Sequence, residues 1–149
     1  MNDNRVKSIN GIRSRASLLA ILKTLQKDGR ISFCSSNYRC GYNAANSEQF
    51  FAPFYLQFLN GDAWVVFSTN SIRTDRMCIQ QWNAEHIKRI NLNVKKAFVV
   101  VPDDVRDNIK ERNEVEKYNS KIASGEYYSA IDAIFYQNQF EKAVQKALK

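Results

Sequence analysis

The chain alternates between segments whose apolar residues recur at helical spacing and short runs that are apolar throughout. Leu18, Ile21, Leu22 and Leu25 fall at three- and four-residue steps, with Arg13, Arg15, Lys23 and Lys27 at polar positions. This pattern predicts an amphipathic helix from about Ile12 to Lys27, ended by Gly29. "RISFCSS" then reads as a short strand and "NYRCGYNAAN" as a loop. In "NSEQFFAPFYLQFLNGD" the residues Phe50, Phe51, Phe54, Tyr55, Phe58 and Leu59 occur at steps of one and four, which predicts a helix with a broad aromatic stripe. Asn46 or Ser47 caps its start, Pro53 bends it and Gly61 stops it.

"AWVVFST" and "KAFVVVPDD" are apolar on both faces, as strands covered by helices on both sides should be. Between them lies "SIRTDRMCIQQWNAEHIKRI", read as a loop, "SIRTDR", and a helix from Ile79 to Ile90. Strand, helix and strand at this spacing fit a crossover unit and an α/β fold. After Pro102, Asp103 or Asp104 caps a helix running to about Ala123, with Gly125 as its stop. Ser129 and Asp132 then have the spacing of a capping box for a last helix, "AIDAIFYQNQFEKAVQKALK", with Ile131, Ile134, Phe135 and Val144 on its apolar face. No repeat or low-complexity linker divides the sequence. At 149 residues and 44% hydrophobic content it can bury one core, so residues 1–149 are read as a single domain.

Charge narrows the function classes. The 22 Lys and Arg against 15 Asp and Glu leave +7, and the excess is local. Residues 1–30 carry seven basic and two acidic side chains and residues 71–96 six and two, while the other two stretches, 31–70 and 97–149, are each slightly acidic. If folding joins the two basic segments, they form a surface suited to a phosphate backbone. If it does not, they are separately solvated helix faces.

Three cysteines, an odd number, and no apolar leader point to a reducing, cytoplasmic setting. No run approaches the ~18 apolar residues of a membrane span. Cys34, Cys40, Cys78 and His86 have the residue types of a zinc site, but their gaps exceed those of common zinc modules, and buried thiols with a packed histidine are the default. The five glycines are scattered, which removes phosphate-cradling loops and dinucleotide fingerprints. A Cys78 nucleophile paired with His86 lacks a third group to orient it.

Within residues 71–90, a loop would project Arg73 and Arg76 outward, with Asp75 either fixing one guanidinium or serving as an acidic ligand for a divalent cation. On a helical wheel Ile79, Trp82, His86 and Ile90 share one face, read as structural, and Gln81, Glu85 and Lys88 share the opposite one. Gln81 and Lys88, flanked by Gln80 and Arg89, are then the side chains a nucleic acid meets. Glutamine can pair with adenine edges, and Lys or Arg with phosphate or guanine.

"SIRTDRMCIQQWNAEHIK", followed by "AFVVVPDD" and "SGEYYSAIDAI", resembles type II restriction endonucleases over roughly residues 62–135. The resemblance implies a restriction-endonuclease-like PD-(D/E)XK core, a mixed sheet flanked by helices, acting on duplex DNA with Mg2+ held by acidic residues. Such chemistry needs an Asp and then Asp/Glu-x-Lys on adjacent strands. The chain contains no Asp/Glu-x-Lys tripeptide. What the resemblance then leaves is a divergent centre of Glu48, Asp62 and Asp75, with Asp62 and Asp75 as metal ligands and Arg13, Arg15, Arg73, Arg76, Gln80, Gln81, Lys88 and Arg89 on DNA. Alternatively, the chain recognises DNA while another region or subunit cuts; the partners expected are duplex DNA and a second subunit or a homodimer. The competing classes are a non-catalytic protein-interaction module and an RNA-binding domain.

Overall fold

A computed structural model of the chain describes residues 16, 18–43, 48–69, 74–125 and 129–148. Five strands, β1 (Ile31–Asn43), β2 (Glu48–Phe58), β3 (Ala63–Ser68), β4 (Val94–Val101) and β5 (Ala133–Tyr136), lie side by side in chain order. β1, β2 and β3 form an antiparallel meander, and β4 and β5 continue parallel to β3. Four helices flank the sheet: α1, helical at residue 16 and from 18 to 26, α2 (Thr74–Ile90), α3 (Ile109–Ser124) and α4 (Gln137–Ala147). The expected α/β architecture, a mixed sheet between helices, is the one formed, and it is compatible with a restriction-endonuclease-like core.

Strand alternation divides the apolar residues between two cores. Ala63, Val65, Phe67, Ala97, Val99 and Val101 pack with Met77, Ala84 and Ile87 of α2 and Val115 of α3. Val66 and Val100 pack on the other face with Leu18, Leu22 and Leu25 of α1 and Phe140 and Val144 of α4. Because both faces are covered, β3 and β4 read as near-continuous apolar runs, and the β3–α2–β4 crossover was legible for that reason.

Two expectations about the first strands are corrected. Residues 48–58 form a strand, not an aromatic helix. Phe50 and Ala52 belong to the α2 side, but beyond Pro53 Phe54 and Leu56 belong to the α1 side and Tyr55 to the α2 side. The pleat changes phase at Pro53, across from the stretch where Asn37 adopts a left-handed φ of 50°, a conformation asparagine tolerates better than most residues. β3 pairs only with Phe54 to Gln57, so the N–H that Pro53 lacks is not missed by that ladder. Nor does "NYRCGYNAAN" begin a loop: β1 runs on to Asn43 as a polar edge strand, with register shifts near both of its ends.

The chain's last third also departs from its expected elements. Asp103–Asp107 is a short 3-10 turn, and α3 is capped instead by Asn108, whose side chain accepts from the Glu111 N–H at 3.1 Å. Gly125, at φ 74°, ends α3 as expected. Residues 133–136 are an edge strand, and α4 starts only at Gln137. Among the described residues no helix is long and apolar enough to cross a membrane.

Candidate nucleic-acid interface

A crossover between parallel strands must carry the chain back along the sheet, so α2 begins beyond the carboxyl end of β3 and ends near its start. The Ala63 N–H donates to the Asn93 carbonyl at 2.7 Å, tying the exit of α2 to the first residue of β3. α2 starts at Thr74, five residues before the expected Ile79, so Thr74, Asp75 and Arg76 belong to its first turn and not to a loop.

The buried arc of α2 is Met77, Ala84 and Ile87, with Gln81 and Lys88 beside it. The Gln81 Oε1 accepts from the Ser129 hydroxyl (2.7 Å) and from the Ala130 (2.9 Å) and Ile131 (3.2 Å) N–H groups. The Lys88 ammonium donates to the Ala130 carbonyl at 2.7 Å and to Asp132 Oδ2 at 2.8 Å. That carboxylate oxygen also accepts from the Ala97 N–H, so Ser129 and Asp132, expected to cap a helix, instead fix the chain as it enters β5 beside β4.

The expected helical phase is therefore only partly kept. Ile79 and Trp82 are 59% and 49% exposed, whereas Gln81 and Lys88 turn inward. His86 and Ile90 do pack, but against the far part of the β1–β2 hairpin. The His86 ring stacks on Phe50 with centroids 5.3 Å apart, its Nδ1 lies 2.8 Å from the Trp82 carbonyl, and Ile90 sits against Gly41. Of the other expected DNA contacts, Arg89 is exposed and pairs with Glu85 at 2.9 Å, and Gln80 is half-buried. Arg13, Arg15 and Arg73, with the side chains of Arg76, Asp75 and Glu48, lie outside the described residues.

The expected carboxylates are not all brought together. Asp62 sits in the β2–β3 turn, its N–H bonded to Asn60 Oδ1 at 2.9 Å, at the amino end of β3. α2, with Asp75 in its first turn, begins beyond the carboxyl end. Six strand residues separate the two by roughly 20 Å, whereas ligands of one divalent cation lie within about 2.6 Å of it. Glu48, at the start of β2, belongs to the same end of the sheet as the start of α2, because β2 runs antiparallel to β3. Among the described residues no group of three or more His, Cys, Asp or Glu is placed to hold a metal ion.

Zinc fares no better. Cys40 lies in the α2-side core and Cys34 in the α1-side core, on opposite faces of the sheet, and Cys78 is exposed. Burial pushes the Cys34 thiol up to about 12 and that of Cys40 up to about 11, the latter against an opposing hydrogen bond from the Ala52 backbone.

What the fold does bring together is helix starts. Arg30 donates to the Leu148 carbonyl, just past the end of α4, while Ala20 and Thr24 share a cavity of about 450 Å³ with Gln137 and Asn138 at its start. α1 thus runs alongside α4 in the same direction. The amino ends of α1, α2 and α4 all point toward the carboxyl end of β3, β4 and β5, where their dipoles favour anions. The described residues of α1 and α2 pack on opposite faces of the sheet, yet the amino ends of both helices point to that one end.

No family model matches the chain, and no solved structure matches it. The chain is similar to a type II restriction enzyme. That protein is BsuFI of Bacillus subtilis, 30% identical over 149 aligned residues that take in 97% of this chain. The chain spans 37% of that enzyme's length.

Proposed function

We propose that the chain is a DNA-engaging part of a type II restriction endonuclease, and that duplex DNA meets the end of the sheet where α1, α2 and α4 begin. The observation that carries this reading is the similarity to BsuFI along nearly the whole chain. The shared orientation of the helix starts supports it electrostatically. In sequence, Arg13 and Arg15 lie shortly before the first described residue of α1, and Arg73 and Arg76 lie on either side of Thr74, the first residue of α2. Gln80 and Arg89 extend the contact along α2, whereas Gln81 and Lys88 serve the fold.

Titration of a labelled duplex at several salt concentrations tests the reading, because phosphate contacts make affinity fall steeply with salt. Arg73→Ala combined with Arg76→Ala is expected to weaken binding tenfold or more and to lower the salt slope by about 2. Lys146→Ala with Lys149→Ala should do much less. A chain that fails to bind duplex even at low salt overturns the proposal.

Cleavage by the chain itself is the finer part of this reading, and it rests on Glu48 and Asp75, the expected carboxylates at that end of the sheet. Plasmid nicking that requires Mg2+, stops with EDTA and disappears in Glu48→Ala and Asp75→Ala is the expected result. Nicking that survives both substitutions would assign the chemistry elsewhere. A second copy or subunit completing the enzyme would show as a larger mass by light scattering when duplex is added.

A further inference from the structure

Positive charge also gathers where the linear charge count shows none. β5 is an edge strand, and its free side is already closed. The Asn119 side chain accepts from the Ile134 N–H at 2.8 Å and donates to the Ile134 carbonyl at 2.9 Å, and Gln139 Oε1 accepts from the Tyr136 N–H at 3.0 Å. The edge backbone therefore has little left to offer an added strand.

Between α3 and α4, beside this edge, lies a cavity of about 440 Å³. Arg106 reaches it from the 3-10 turn, Arg112 and Glu116 from α3, Tyr136 from β5, and Gln139 and Lys142 from α4. The ion pairs among the described residues are Arg30–Asp28, Lys88–Asp132 and Arg89–Glu85, and none of them uses the three cations of the cavity. Glu116 is the only carboxylate in the lining, so the cavity carries an excess of two positive charges.

The tyrosine makes this more than a charged surface. Tyr136 is buried, and its hydroxyl, enclosed near Arg106, meets no partner within ordinary hydrogen-bond geometry. Arg106 lies over the ring, 4.3 Å from its centroid, and its Nη2 donates weakly to Asn138 at 3.4 Å. A buried polar group without a partner is costly, and native proteins leave few of them. Burial holds this hydroxyl above the usual tyrosine range, with Arg106 opposing and Glu116 reinforcing, so at neutral pH it remains a donor. Two guanidinium groups, an ammonium, the Gln139 amide and this hydroxyl form a set dominated by donors. Such a set suits a ligand that only accepts, and cations arriving from three elements can meet the tetrahedral oxygens of a phosphate from several directions at once.

We propose that this cleft binds a phosphate group, held by Arg106, Arg112 and Lys142 with the Tyr136 hydroxyl as a further donor. The inference extends the DNA reading, since Tyr136 ends β5 at the same end of the sheet as the helix starts, and the source named by that reading is the duplex backbone. Inorganic phosphate and a short DNA duplex are each titrated calorimetrically, at matched ionic strength, against the wild-type chain, Tyr136→Phe and the pair Arg112→Ala with Lys142→Ala. Tyr136→Phe should fold with unchanged or higher Tm, because it removes an unsatisfied hydroxyl, yet bind phosphate about 5–10-fold more weakly. The double variant should lose tenfold or more for phosphate, and its salt slope with duplex should fall by about 2. Phosphate that binds all three proteins alike, or fails to bind the wild type, overturns the proposal. Loss of phosphate affinity with unchanged duplex affinity would support the cleft with free phosphate as its source. Phosphate binding without any duplex binding would uphold the cleft and overturn the DNA reading alone.

Discussion

Replacing Lys88 with methionine separates a structural lysine from a DNA-binding one. Methionine retains an apolar, flexible side chain of similar length and removes the charge, so the change isolates what the ammonium does. In the fold that ammonium donates to the Ala130 carbonyl at 2.7 Å and to Asp132 at 2.8 Å, while the same Asp132 oxygen accepts from the Ala97 N–H. The side chains of Lys88 and Asp132 are 23% and 27% exposed, between a surface pair and a buried one. Exposed pairs contribute about 0.2–1 kcal/mol, and breaking buried pairs costs about 3–5 kcal/mol. An intermediate loss of about 2 kcal/mol follows, reached through a carboxylate left with one N–H donor and a carbonyl left with none. For a chain of this size that corresponds to a fall in Tm of about 4–8 °C. Urea unfolding followed by the fluorescence of Trp64 and Trp82 measures it, with an unchanged m value showing that only stability moved. Arg89→Met, which removes the exposed Glu85 pair, serves as the control and should cost no more than about 0.5 kcal/mol. Stability within about 0.5 kcal/mol of wild type in Lys88→Met, together with a tenfold loss of duplex affinity, would refute the structural assignment and restore Lys88 to the DNA face.

Gly41→Ala should destabilise the chain by about 1–3 kcal/mol, because an added Cβ would lie 2.7 Å from Ile90 Cγ1 and 3.1 Å from its Cβ. Ile90→Ala in the same background should cost less than it does alone, as a double-mutant cycle by urea unfolding would show. A thiol reagent should modify Cys78 rapidly and spare the buried Cys34 and Cys40 until the chain unfolds, a difference readable from the thiols released in native and denaturing buffer. The Asp28 carboxyl, held near 2 by its side-chain hydrogen bond with Arg30, stabilises the fold above the ordinary aspartate range, and that contribution is lost as pH falls from about 4 toward 2. Carbon NMR should show the low midpoint in wild type and its return to the ordinary range in Arg30→Ala.

The elements that could be read locally were those whose burial matches their own periodicity. β3 and β4 are apolar on both faces because helices cover both, and their spacing around α2 leaves a crossover as the natural connection. β2 was illegible for a specific reason. Two alternating patterns of opposite phase, joined at Pro53, put aromatics at positions 50, 54 and 58 with 51 and 55 beside them, which is also what a helix face produces. The Ser129 and Asp132 pair misled because a capping box is a local pattern, whereas their partners in the fold include Gln81, Lys88 and Ala97, each at least 35 residues away. The same long-range bonds turn Gln81 and Lys88 inward on α2. A wheel places residues by hydrophobicity, and here two polar side chains turn inward because buried backbone groups need them.

Charge behaves similarly. Counting along the chain locates excess in residues 1–30 and 71–96 and finds residues 97–149 slightly acidic. The fold changes both halves of that picture. The described parts of α1 and α2, which belong to the basic segments, lie on opposite faces of the sheet, and what unites them is the common direction of the two helices, whose amino ends point toward the carboxyl end of β3. In the acidic stretch, Asp103, Asp107, Glu111 and Glu114 are absent from the cavity lining, leaving Arg106, Arg112 and Lys142 opposed there by Glu116 alone. A phosphate backbone responds to charges within about a Debye length, roughly 8 Å at physiological salt, and not to sums along the sequence. On the proposed DNA reading, the lining of this cleft and the direction of the helix starts are therefore what should decide where a duplex lies. Variants at these two places should lower the salt slope independently, since no cavity residue neighbours Arg73 or Arg76 in sequence and the two sets belong to different elements. If their losses in affinity prove strongly non-additive, the two surfaces contact the same phosphates, and the duplex crosses the sheet end as one compact patch rather than along a track.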